Sequence, residues 1–328
     1  MKIAELKKIL NKTNDETLKK ILVDVYKLVP TSKKQDADFV IEEILNSNTK
    51  NTEKLIKNID YTGLSDEINL FLHNAYAQNY LAPNRNVPKK QRPKWRFHVK
   101  RFVKELEKVP TDSEFYNESV ELLRKLYKMM CYACNYYLFS TDDPFKSVGI
   151  SQFDFYSLLV NKTFATGITS EKINTLLVCA ATGGLSSTSL YISQETILLS
   201  CLKTSEYLQT LIDQAKQLVI STNKKYINCD RYSNTKFFLE VEINNYCDVI
   251  LMASIDLKQF DETIEYYFEN VKEFDEEVAL YRALHIINLY EENDALWVKC
   301  YEYGVKRRKI KPRDSLKETY KDLKNKQQ

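Results

Sequence analysis

Chemistry needs particular side chains at particular spacings, and the first pair that could supply it is Cys131-x-x-Cys134. In a redox protein this motif opens a helix, where exposed N–H groups lower the thiol pKa. Here it lies well inside Leu-Tyr-Lys-Met-Met-Cys-Tyr-Ala-Cys-Asn-Tyr-Tyr-Leu-Phe, an apolar helical run. Two buried packing cysteines are therefore expected. A zinc site would want a second pair, and Cys179, Cys201, Cys229, Cys247 and Cys300 offer none. The histidines, His73, His98 and His285, belong to no His-Glu-x-x-His or Glu-x-x-His spacing. Each reads as a satisfied, partly buried side chain, with Glu292 or the neighbours of Arg282 as partners for His285. Gly183-Gly184 lacks the Gly-Lys-Ser/Thr ending of a phosphate loop and follows a helix instead of a strand. Phe238 to Ile243 carries carboxylates in the manner of a nuclease strand, but without its lysine and in helical surroundings. No acid, base, nucleophile, metal or cofactor constellation emerges, so the expectation is a protein without a catalytic site of its own.

Charge is the more informative chemistry. Between 85 and 104 stand Arg85, Lys89, Lys90, Arg92, Lys94, Arg96, Lys100, Arg101 and Lys104, with no acidic residue. Trp95, Phe97 and Phe102 lie among them. Basic groups release counterions from phosphates and aromatics can stack on bases, which makes nucleic-acid binding one reading. Helical phase argues the other way. Trp95, Val99, Phe102, Val103 and Leu106 share one stripe, a core face, while Arg96, Lys100 and Lys104 share the solvent side. The stretch then becomes a solvated basic face that binds an acidic protein surface or nothing.

Lys306, Arg307, Arg308, Lys309, Lys311 and Arg313 form a second basic cluster, read as a phosphate patch or a solubilising tail. Against both stands the segment Glu240 to Asp294, with fifteen acidic residues and only Lys258, Lys272 and Arg282 opposing them, a net of −12. Glu262, Glu265 and Glu269 fall on one helical face and are candidates for docking a basic partner, or the basic region of another copy. The formal charge of +3 on the whole chain thus conceals a polarised molecule.

Helices must position these groups, because the chain of 328 residues carries only 6 Gly and 7 Pro. Sheet sandwiches, barrels and glycine-cradled nucleotide sites lean on more glycine than that. The start of the chain has no apolar run of a secretory signal, no stretch approaches the ~18 apolar residues of a membrane span, and seven scattered cysteines suit a reducing cytosol. Caps and apolar periodicity predict a helix opened by Thr13 with Glu16 and closed by Pro30, then helices near 36–47 and 65–80. The last of these would bury Ile68, Leu70, Phe71, Leu72 and Tyr76. Residues 81–93, with three prolines, read as a linker. A helix follows from Pro93 to about Lys108, and Thr111 with Glu114 announces another that ends near Phe139. Further helices are predicted near 151–165, 170–182, 188–202 and 205–221, with Gly167 and Gly183 at C-cap positions. Past a polar stretch, 222–234, which is the second linker candidate, come helices near 235–256, 260–271, 274–290, 293–304 and 314–325.

An internal echo aligns Leu257–Tyr267 with Tyr290–Cys300 at an offset of 33, pairing Phe260 with Asn293, Asp261 with Asp294, Ile264 with Trp297 and Tyr267 with Cys300. This resembles the tetratricopeptide-type helical hairpin, whose repeat is about 34 residues. The resemblance covers the last third of the chain. It departs from the family in its scarcity of small residues, with Ala253, Ala279 and Ala283 the few candidates.

The fold expected is all-α, antiparallel helix pairs stacked as an irregular α-solenoid. Its divisions are 1–92, an N-terminal helical unit with a Pro/Lys-rich linker; 93–222, a central helical domain; and 235–328, tetratricopeptide-like pairs with a basic tail. The functional expectation is a cytosolic interaction or adaptor protein that binds a protein partner, or itself, through charged surfaces, with no membrane association. Nucleic-acid binding through 85–104 and the C-terminal cluster is the alternative.

Overall fold

A computed structural model describes residues 13–30, 34, 37–38, 41, 61–84, 86–230, 233–290 and 293–326. Every regular element among them is a helix. The expected helix at 36–47, Arg85 and Glu292 lie wholly or mostly outside the described residues. The chain divides into two units, Met1–Asp60 and Tyr61–Gln328. Residues 93–222 and 235–328 thus share the second unit.

In the first unit, helix α1 spans Asp15–Leu28. Its cap is Asn14, whose carboxamide oxygen accepts from the Thr17 N–H at 2.9 Å, so the start falls one residue beyond the Thr13 capping box. None of its residues is buried, and Leu22, Val23, Val25 and Leu28 are exposed.

The second unit runs through α2 (Tyr61–Tyr76), a 3₁₀ turn (Arg92–Lys94), α3 (Trp95–Glu107), α4 (Tyr116–Asn135), α5 (Pro144–Val148), α6 (Gln152–Phe164) and α7 (Ser170–Ala181). It continues with α8 (Tyr191–Cys201), α9 (Ser205–Ile227), α10 (Asn234–Asp256), α11 (Phe260–Asn270), α12 (Glu276–Ile287), α13 (Asp294–Glu302), a π-helical turn (Tyr303–Arg307) and α14 (Asp314–Lys326). Short polar residues set the starts: Ser151, Thr169, Thr204 and Ser233 each accept from the backbone N–H three positions on, at 3.0 to 3.3 Å. Such caps satisfy N–H groups that have no partner inside the helix.

Packing follows the chain. α6 packs on α7 and α8, α7 on α8 and α9, α8 on α10, α9 on α10, α10 on α11 and α12, α12 on α13, and α13 on α14. Contacts between helices one or two places apart in the chain are the pattern of stacked helix pairs. The all-α solenoid-like fold is therefore what forms. Its core is continuous, with Leu123, Leu126, Leu159, Leu176, Leu198, Leu211, Ile250 and Leu280 all fully buried.

Four local expectations differ. Residues 222–227 of the second linker candidate are helical instead, because α9 continues to Ile227 and packs along α10. The loop at 81–93 is tied down internally: Asn84 and Asn86 donate to the Asn79 side-chain oxygen at 2.8 and 2.9 Å, and Arg92 donates to the Asn84 and Val87 carbonyls. The Thr111–Glu114 box does not cap α4, which starts at Tyr116 with no side-chain cap. That helix stops at Asn135 because Tyr136 turns extended, which frees Phe139 to stack on Trp95 at 3.9 Å.

Candidate functional site

The basic face is built by α3 and the turn before it. Trp95, Val99, Phe102, Val103 and Leu106 are all buried, as the helical phase requires. Trp95 and Phe102 are thereby withdrawn from any base-stacking role. Lys89, Lys90, Lys100 and Lys104 are exposed, and Arg92, Lys94 and Arg96 half-buried. Arg101 is the exception, since it pairs with Glu67 and, at 3.6 Å, with Glu105. Among the described residues no carboxylate pairs with Lys89, Lys90, Arg92, Lys100 or Lys104. Lys89, Arg92 and Arg96 border a concavity of about 330 Å³ that Ser140, Thr141 and Ser147 also line. Those three residues come from the loop and short helix α5, which packs on α3.

The C-terminal cluster has a different fate. Lys306 pairs with Glu302 at 2.9 Å, Arg308 with Glu276 at 2.9 Å, and Arg313 makes a two-pronged contact with Glu277 at 2.5 and 2.6 Å. This is a folded clasp over the acidic helices and not a solubilising tail. Arg307, Lys309 and Lys311 remain exposed. Glu302 collects Lys306, the Tyr320 hydroxyl and Lys324, which hold its carboxyl down at about 2. Glu262, Glu265 and Glu269 are exposed on one side of α11 as expected.

Beneath the acidic helices lies a network that sequence patterning did not reveal. Arg282 bridges Asp248 at 2.6 Å and Glu273 at 3.2 Å, and donates to the Asn245 side-chain oxygen at 2.9 Å. The Tyr267 hydroxyl donates to Asp248 at 3.2 Å. Glu195, fully buried on α8, has no hydrogen-bond partner for either carboxyl oxygen among the described residues. Burial, and then the charge of Asp248, pushes its carboxyl well above the ordinary range. No signal in the sequence distinguishes Glu195 from a surface glutamate.

A second concavity also escaped sequence reading. A cleft of about 260 Å³ opens between α2, α4, the loop after α7, α8 and α10. Tyr76, Tyr132, Tyr136, Tyr191 and Phe238 supply aromatic surface, and Glu242 supplies a carboxyl. Tyr76 and Leu70, expected in the core, are exposed, and Tyr76 stands at this cleft. Its floor needs glycine. The Gly184 N–H donates to the Cys131 carbonyl at 3.1 Å, and a Cβ there would stand 2.4 Å from that oxygen. Gly183 takes the left-handed conformation with φ +90°, and its carbonyl accepts from the Tyr191 hydroxyl. The pair is a packing turn. The spacing of Tyr132 and Tyr136, one helical turn apart, was the sole hint of the cleft in the sequence.

Cys131 and Cys134 lie in the last turns of α4, and burial pushes Cys134 up to about 12 and Cys131 higher. Neither is poised as a nucleophile at neutral pH. His73 and His285 are exposed rather than buried, while His98 sits half-buried with its ring centre 6.1 Å from Phe102 and 6.4 Å from Phe71. Burial, then Arg101, lowers the His98 pKa. Among the described residues no group of three His, Cys, Asp or Glu could hold a metal ion, and no helix is long and apolar enough to cross a membrane. Comparison with family models, curated proteins and solved structures finds no match.

Proposed function

We propose that this chain is a helical-repeat interaction protein of the cytosol, without catalysis of its own, which docks an acidic protein surface on the basic face of α3. One observation carries the reading: Lys89, Arg92, Lys100 and Lys104 have no carboxylate partner among the described residues, whereas half of the C-terminal basic cluster, Lys306, Arg308 and Arg313, is engaged internally. A positive face left without counter-charges attracts acidic partners and speeds their encounter. The concavity bordered by Lys89, Arg92 and Arg96 suits an incoming carboxylate through those cations. Seven free cysteines accord with a reducing compartment. The tetratricopeptide-like reading of the last third belongs to this proposal, and the aligned positions Ile264, Trp297, Tyr267 and Cys300 are all buried.

Nucleic acid is the second reading, favoured by the same unpartnered charges and weakened by the burial of Trp95 and Phe102. Titration with poly-L-glutamate and with a single-stranded oligonucleotide, each at low and high salt, separates them. Salt-sensitive binding of the polyglutamate alone supports the protein-docking reading. Preferential binding of the oligonucleotide overturns it in favour of the second.

A further inference from the structure

We propose that the aromatic cleft between α2, α4, α8 and α10 binds an organic cation, a methylated ammonium head group held over tyrosine faces against Glu242. This site is separate from the basic face and does not depend on it.

Three features point the same way. The first is the lining. Tyr76, Tyr132, Tyr136, Tyr191 and Phe238 converge on one opening. The rings of Tyr76 and Tyr132 lie 5.6 Å apart at 59°, and that of Tyr136 stacks 4.5 Å from Tyr132. The three rings form one contiguous aromatic wall, and the negative face of an aromatic ring attracts a cation.

The second is Glu242. Its carboxyl lines the cleft, half-buried, without a hydrogen bond or ion pair among the described residues. A carboxyl withdrawn from water normally finds a hydrogen-bonding or ionic partner. Burial pushes its pKa up, and Lys225, the cation that acts on it most, offsets only part of that rise. Lys128 also borders the cleft, but its side chain is exposed and makes no pair with Glu242.

The third is chemistry by elimination. An anion would face Glu242 across an apolar lining. A neutral apolar ligand would bury the carboxyl further without a counter-charge. A compact ammonium with strong hydration would lose its water shell for little, whereas a methylated ammonium sheds water cheaply and fills an aromatic cavity. At about 260 Å³ the space is near the lower bound of ligand pockets, roughly 300 Å³, and accepts a head group better than a large ligand.

Choline and its neutral carbon isostere 3,3-dimethyl-1-butanol provide the test, titrated into the full chain by calorimetry. The site predicts that choline binds about tenfold or more tightly than the isostere, since only the charge differs. Glu242→Gln should cost choline about tenfold and leave the isostere unchanged, with helical circular dichroism confirming the fold. If that variant loses its helical signal, the isostere comparison on the unaltered chain decides alone. A trimethyllysine tripeptide run beside choline assigns the source: tighter peptide binding indicates a modified side chain, tighter choline binding a free small molecule. Equal affinity for choline and the isostere, or no choline binding at millimolar concentration, overturns the proposal.

Discussion

The two basic clusters look alike as strings of residues and differ in what the fold does with them. Around Lys306–Arg313 the chain turns back on its acidic helices, and Glu302, Glu276 and Glu277 take up Lys306, Arg308 and Arg313. Around Lys89–Lys104, Arg101 is paired with Glu67 and Glu105, and among the described residues no carboxylate pairs with Lys89, Lys90, Arg92, Lys100 or Lys104. Charge in the first region contributes to holding the structure together. Charge on Lys89, Lys90, Lys100 and Lys104 in the second can act on something outside. A charge run in a sequence therefore carries no functional weight until its neighbours in space are known.

Charge changes at the paired groups of the C-terminal half should therefore register in stability and those on the basic face in binding. Asp248→Asn should have the largest effect. It leaves Arg282 half-buried beside a neutral amide, and the loss should be about 3 kcal/mol, the lower end for breaking a buried pair because the guanidinium is partly exposed. Urea denaturation at neutral pH measures it.

Glu195→Gln comes next, through pH. The folded chain holds a proton on Glu195 that the unfolded chain releases above about pH 4.3. Stability of the unaltered protein should then fall by up to about 1.4 kcal/mol per pH unit as pH rises above that value. Glutamine has no such proton, so this contribution to the slope should disappear in denaturation curves recorded at pH 5, 6 and 7.

A smaller change is expected from Glu302→Gln, about 1 kcal/mol near neutrality, with solvent screening limiting the contacts to Lys306 and Lys324. Here the sign is reversed. A carboxyl depressed to about 2 contributes stability above its unfolded value and loses it as pH falls toward 2. The gap between variant and parent should narrow across that acid range in urea melts.

Much of this was legible beforehand and the rest was not, for physical reasons. The stripe Trp95–Leu106 is written in local periodicity, which burial on one side of a helix imposes directly. Helix starts at Ser151, Thr169 and Ser233 follow from side chains that bond three residues away. The clasp of Arg313 on Glu277 joins positions 36 apart, and Glu195 meets Asp248 only after α8 packs on α10. Such pairings depend on which helices become neighbours, and no local pattern encodes that. The aromatic cleft is of the same kind, since Tyr76, Tyr132 and Phe238 come from three separate helices.

The central claim is that an unpartnered basic face, and not the net charge of the chain, attracts an acidic partner. Its most direct test compares two variants carrying the same change of charge: Lys89, Lys100 and Lys104 all changed to Glu, and Arg307, Lys309 and Lys311 all changed to Glu. Both sets are exposed, so each should keep stability within about 0.5 kcal/mol per substitution. Poly-L-glutamate affinity at low salt should fall by about tenfold or more in the first variant and by far less in the second, whose residues stand among the chain's own acids. Equal losses in the two would contradict the account, because net charge alone would then explain the binding.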